Sequence, residues 1–181
     1  ARTGLGKQVN VFREFIWLQL LNQGMKVWGL GVADAHHVHG NGVGSWRTYI
    51  PSNTDDPADI DWREISQNAR KGQMVLSSGP YLEVSTTNGT IAGGEEQCLN
   101  GKVDLNIKVQ CPEWMALDRV QVLINSRQVA THNYTIENSK RKFRKGIVRF
   151  DETISIDLKE DAHLIVVAIG EQGDLQPLYG T

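Results

Sequence analysis

Apolar positions along the chain follow two different periods that meet near residue 73. In the first stretch Val11, Phe12, Phe15, Ile16, Leu18 and Leu21 recur at helical spacing, and Gly24 sits where a left-handed stop belongs. This predicts an amphipathic helix over 11–22 with one buried face. The run Val27-Trp28-Gly29-Leu30-Gly31-Val32 is too short for a helix and mostly unalternated, as expected of a strand covered on both faces. Asp55-Asp56-Pro57 then offers an N-cap and a first-turn proline, and 60–71 runs helically until Gly72.

From Met74 onward the period is two. Every odd residue of Val103-Asp104-Leu105-Asn106-Ile107-Lys108-Val109-Gln110-Cys111 is apolar and every even one polar, the mark of a strand with one face in a core. Further strands are predicted at 120–124, 147–150, 154–158 and 164–169, separated by turn-like segments. The pattern predicts a β-sandwich of about seven strands over 74–181, preceded by an α/β part over 1–73. Two helices and one buried strand do not make a covered parallel sheet. The α/β part is therefore expected to be completed by upstream strands, by another chain or by the sandwich.

Composition narrows the classes. The hydrophobic share of the 181 residues is 40%, enough for an ordinary globular core, and 19 basic against 21 acidic residues give a formal net charge of -2. No global field draws such a chain to nucleic acid or to anionic lipid. No apolar stretch approaches the roughly 20 residues of a membrane span. The opening Ala1-Arg2-Thr3-Gly4-Leu5-Gly6 lacks the apolar core of a signal peptide, and a leader lost upstream would leave no trace. The compartment stays open between cytoplasmic and secreted or periplasmic. Cys98 and Cys111 are too few for a disulfide scaffold and are expected as free, buried thiols, with a single bridge open in an oxidising compartment.

Asp34-Ala35-His36 stands where the apolar run gives way to a glycine-rich loop. A hard carboxylate oxygen and a borderline imidazole nitrogen two residues apart suit Zn, Mn or Fe. A catalytic ion takes at least three protein donors, however. The competing reading of the pair is loop hydrogen bonding at a strand end.

The ordered set Trp17-Leu18, Leu20-Leu21-Asn22, Gly24, Ala33-Asp34-Ala35-His36, Arg47-Thr48-Tyr49, Arg70-Lys71-Gly72 and Ser78-Gly79-Pro80 resembles the C-terminal half of CehA/McbA-like metallohydrolases of the PHP (polymerase and histidinol phosphatase) superfamily. The likeness runs through about Asn125. It implies an α+β protein: the end of a distorted β/α barrel followed by an immunoglobulin-like antiparallel β-sandwich. It further implies a two- or three-metal centre at the strand ends whose last ligands are an Asp-x-His pair, here Asp34 and His36. The implied reaction is hydrolysis of a small phosphoester, or a related ester or amide, by metal-bound hydroxide. Asp34 would hold one metal and take the proton of the nucleophilic water, and His36 would be a terminal ligand with its second ring nitrogen fixed by an acceptor. Arg47 would clamp a phosphate or carboxylate, with Trp46 or Tyr49 as an apolar wall.

Departures from the family shape the expectation. Its opening His-x-His motif and its central Glu and His ligands have no counterpart here, and Ala33 stands where Ser is usual. A divalent metal is expected in the complete protein, the upstream barrel segment is the expected partner, and this chain alone is expected to be inactive. A non-catalytic alternative makes the β-sandwich a binding or assembly module for carbohydrate, protein or another subunit in a homo-oligomer, with the Asp-x-His pair vestigial.

Other chemistry-bearing residues have plainer accounts. His37 and His39 form a second His-x-His, read as imidazoles displayed on a loop, and His132 and His163 are read as structural or surface residues. The basic run Lys140-Arg141-Lys142-Phe143-Arg144-Lys145 is read as a solvated hairpin in preference to a nucleic-acid contact. Asp55, Asp56, Asp59, Asp61 and Glu64 crowd a helix start, where the dipole favours negative charge. Trp17, Trp28, Trp62 and Trp114 are expected in cores, Trp46 beside the site. The sequons at Asn88 and Asn133 matter only in a eukaryotic secretory setting.

Overall fold

Helix α1 (Arg13–Asn22) opens the part of the chain that this computed structural model describes, residues 13–37, 43–44 and 46–170. Val11 and Phe12, the start of the expected helix, lie outside the described residues. Gly24 adopts φ +76, the Met25 amide donates to the Leu20 carbonyl and the Gly24 amide to that of Leu21. This is a Schellman closure, which needs a residue free to turn left-handed. The expected buried face is not closed. Phe15 is 57% and Ile16 48% exposed, because no described strand or helix packs along them.

After α1, residues 25–35 form neither helix nor strand. This segment lies on a two-stranded antiparallel ribbon of β1 (Arg47–Tyr49) and β2 (Val75–Ser77), in which Thr48 faces Leu76. Gly29 and Gly31 make the approach: a Cβ on Gly29 would come 3.5 Å from Leu76, and one on Gly31 would come 3.0 Å from the Arg47 carbonyl oxygen. The Thr48 hydroxyl accepts from the Gly31 amide (2.9 Å) and donates to the Gly31 carbonyl (3.0 Å). One side chain thus meets the backbone needs that a neighbouring strand would otherwise serve. The expectation of a strand buried on both faces is corrected accordingly, since Leu30 is 62% and Val32 67% exposed on the outer side.

Helix α2 (Trp62–Arg70) begins later than the sequence suggests. Asp61 is its N-cap, accepting from the Arg63 amide, whereas Asp56 caps a separate turn by accepting from the Ala58 amide. It ends as expected at Gly72, whose φ is +74. The Trp28 indole donates to the Arg70 carbonyl at 3.0 Å, and its ring fills the space that a Cβ on Gly72 would need. Trp62 is exposed, with the Arg63 guanidinium 4.6 Å from its ring, so it does not join a core. Trp114 is likewise exposed.

The remainder is antiparallel β: β3 (Tyr81–Thr86), β4 (Lys102–Gln110), β5 (Arg119–Ile124), β6 (Arg127–Thr135), β7 (Val148–Asp157) and β8 (Leu164–Ile169). They form two three-stranded sheets, ordered β3-β4-β7 and β6-β5-β8, which share one core. The chain is therefore a mixed α+β protein dominated by a β-sandwich. The odd residues of β4 supply Val103, Leu105, Ile107 and Val109, which meet Val120 and Val122 of β5 and Phe150, Ile154 and Ile156 of β7. Each such side chain contributes on the order of 1.5–3 kcal/mol by leaving water. Cys111 joins this core and Cys98 packs at its margin, both as free thiols, and burial pushes the Cys111 thiol pKa up.

Strand assignment differs from the periodicity in several places, and β1, β2 and β3 are not among the strands that the periodicity predicts. The segments 147–150 and 154–158 belong to one strand, β7, because the polar Asp151-Glu152-Thr153 between them continues the ladder with β4. Thr153 donates to the Asn106 side chain at 2.7 Å, and Glu152 takes an ion pair from Lys142 at 2.8 Å. Strand β6 is too polar to show a period. Pairing with β5 holds it, from Arg119 opposite Thr135 to Ile124 opposite Arg127. The described sandwich accordingly has six strands in place of about seven.

Candidate functional site

Asp34 and His36 lie at the end of the irregular segment whose Gly29 and Gly31 rest on the β1–β2 ribbon. Asp34 has φ +49, a left-handed conformation that aspartate tolerates better than most residues. That turn brings the His36 ring back over its own backbone, and Nδ1 lies 2.8 Å from the Asp34 carbonyl oxygen. A carbonyl only accepts, so Nδ1 carries the proton and neutral His36 keeps its lone pair on Nε2. Nε2 in turn lies 4.0 Å from Asp34 Oδ1, and both side chains are open to solvent, His36 by 70% and Asp34 by 87%.

These two atoms suit one edge of a metal site. Donors sharing an ion at ordinary Zn–N and Zn–O lengths sit roughly 3.0–3.4 Å apart, somewhat closer than the 4.0 Å between these two atoms. A tethered Nδ1–H with a free Nε2 is also the arrangement that fixes a ligating imidazole. They do not suit a complete site, because among the described residues no group of three or more His, Cys, Asp and Glu comes together. His37 is exposed beside the pair, and His39 lies outside the described residues.

Arg47 stands on the neighbouring strand β1, its backbone carbonyl against Gly31. Its guanidinium is exposed, donates to the Ser78 carbonyl at a long 3.5 Å, and sits 6.0 Å from the centre of the Tyr49 ring. Among the described residues this leaves most of its five donors available to an anion. Tyr49 meets Tyr81 of the sandwich edge to face, ring centres 5.0 Å apart, and Trp46 is 53% exposed. Sequence reasoning missed Thr48 and Tyr81. Thr48 could have been found from strand alternation, since it faces away from Arg47 and Tyr49 and toward whatever β1 supports.

The remaining candidates are placed by ordinary structure. Asp61 and Asp56 cap, and Glu64 accepts from the Asn53 amide at 3.0 Å. In the basic run Lys142 pairs with Glu152, Arg144 pairs with Asp151 and Glu152, and Phe143 packs edge to face on Phe150. His132 is half-buried near the Tyr134 hydroxyl, and His163 is half-buried with its ring on Ser126. No helix among the described residues is long and apolar enough to cross a membrane. Comparison with protein-family models, with curated proteins and with solved structures returns no match.

Proposed function

We propose that the chain is the C-terminal part of a PHP-type, CehA/McbA-like metal-dependent hydrolase acting on a small phosphoester or a related ester or amide. Residues 1–73 would belong to the end of its barrel, and 74–181 would form the trailing immunoglobulin-like sandwich. The observation that carries this reading is the His36 ring anchored through Nδ1 on the Asp34 carbonyl, which leaves Nε2 4.0 Å from Asp34 Oδ1. The exposed Leu30 and Val32 add support. They lead up to that pair as an apolar stripe of the kind that marks a surface to be covered, here by the upstream barrel segment with the remaining metal ligands.

A divalent Zn, Mn or Fe ion held there would supply Lewis acidity and bring the pKa of a water toward about 7. Asp34 Oδ1 would hold that ion as a hard oxygen donor or take a water's proton. His36 Nε2 would hold it through its lone pair, with the Nδ1–H bond to the Asp34 carbonyl keeping the ring from turning. Arg47 binds the substrate's phosphate or carboxylate, and the Tyr49 ring 6.0 Å from its guanidinium shields that contact from water.

Hydrolysis assays test the proposal. The protein carrying the upstream barrel segment is offered a panel of phosphomonoesters, phosphodiesters, carboxylic esters and amides, beside the present chain. The expected result is turnover by the longer protein only, reduced roughly a hundredfold or more by Asp34→Ala or His36→Ala. Unchanged turnover in both variants would overturn the assignment.

A further inference from the structure

We infer that Ser126 is a latch fastening helix α1 to the sandwich. Asn125 and Ser126 are the two-residue loop of the β5–β6 hairpin, closed by the Ile124–Arg127 pair, with φ of +49 and +64. Two left-handed residues in a two-residue hairpin define a type I′ turn, whose second position is ordinarily glycine because a Cβ there is strained. Serine at that position needs an offsetting interaction from its side chain.

The hydroxyl makes two contacts. Ser126 Oγ lies 3.2 Å from the Leu18 carbonyl oxygen, 108 residues away in sequence, and 3.0 Å from His163 Nε2. A carbonyl cannot donate and a hydroxyl has one proton, so Ser126 gives that proton to Leu18 and His163 donates from Nε2–H. Asn125 braces the arrangement, its amide donating to the His163 carbonyl at 3.0 Å and its side-chain oxygen accepting from the His163 amide at 3.1 Å. The turn and the start of β8 are thus tied together, and the hydroxyl reaches the helix from a fixed platform. Helix α1 runs through Gly24 into the segment that ends at Asp34 and His36, so the latch fixes the helix from which that segment leaves toward the β1–β2 ribbon. This inference stands whether or not the pair binds metal.

Amide hydrogen exchange on the full chain tests it, with Ser126→Gly and Ser126→Ala beside the original protein. Glycine suits the turn, so the first variant keeps the hairpin while losing the hydroxyl. The expected result is exchange across 16–24 faster by roughly fivefold to tenfold in both variants, the equivalent of one lost hydrogen bond, with β4 and β7 unchanged. Unchanged exchange in α1 would overturn the latch. So would equal acceleration in α1, β4 and β7, which would make Ser126 a residue of general stability.

Discussion

The His36 imidazole is tied through Nδ1 to the carbonyl of Asp34, and that bond leaves Nε2 as the nitrogen facing the Asp34 carboxylate 4.0 Å away. The relationship depends on the left-handed backbone of Asp34 at φ +49, a conformation that glycine adopts without strain. Asp34→Gly is therefore expected to leave the folded chain as stable as before or more stable by up to about 1 kcal/mol. Urea denaturation followed by circular dichroism measures this. A clear loss of stability would mean that the carboxylate holds the loop instead of waiting for a ligand.

The outer stripe should behave differently in the two contexts. Leu30 and Val32 are mostly exposed, so Leu30→Ser and Val32→Ser are each expected to change the stability of this chain by no more than about 0.5 kcal/mol. In a protein that includes the proposed upstream barrel segment the same changes would each cost about 2 kcal/mol or more, as at buried apolar positions. Equal, small effects in both proteins would remove the argument that the stripe is covered.

By contrast, Phe150 and Ile107 lie in the sandwich core with almost no exposure. Phe150→Ala is expected to lower stability by about 3–5 kcal/mol and Ile107→Ala by about 2–5 kcal/mol, the costs of deleting well-packed apolar volume. Gly72→Ala should also be costly, by about 2 kcal/mol, since it strains a left-handed residue and pushes the Trp28 ring from its place. A shift of tryptophan emission to longer wavelength should accompany it.

Burial holds the His163 imidazolium pKa below the ordinary 6.5. The unfolded chain then takes up this proton at higher pH than the folded chain, so stability falls as pH drops below about 6.5 and toward the folded value. Urea midpoints at about pH 7.5 and about pH 5.5 should separate for the original protein, and His163→Gln should narrow the gap. An unchanged gap would assign the pH dependence to other groups.

Part of the sandwich was legible because strands such as 103–111 alternate strictly, and both helix stops were legible because glycine is the residue that most readily takes the left-handed closing position. The 27–32 run misled. An apolar run reads as doubly buried only if both sides have neighbours, and here Gly29 and Gly31 face the ribbon while Leu30 and Val32 face outward. β6 was hidden because its order comes from pairing with β5 and not from its own pattern. The Asp34–His36 pair was visible as residue types at a spacing. What could not be read was the ring tether, which follows from a single left-handed φ at Asp34, or the role of Thr48 as a stand-in for a strand partner.

Metal content is the most direct measure of the central claim. The protein extended through its upstream barrel segment is purified, dialysed and assayed for Zn, Mn and Fe by elemental analysis, beside the present chain and beside Asp34→Ala and His36→Ala in the extended form. Stoichiometric metal in the extended protein, and its loss in both variants, is the expected result. Full metal content in the variants, or none in the extended protein, would contradict it.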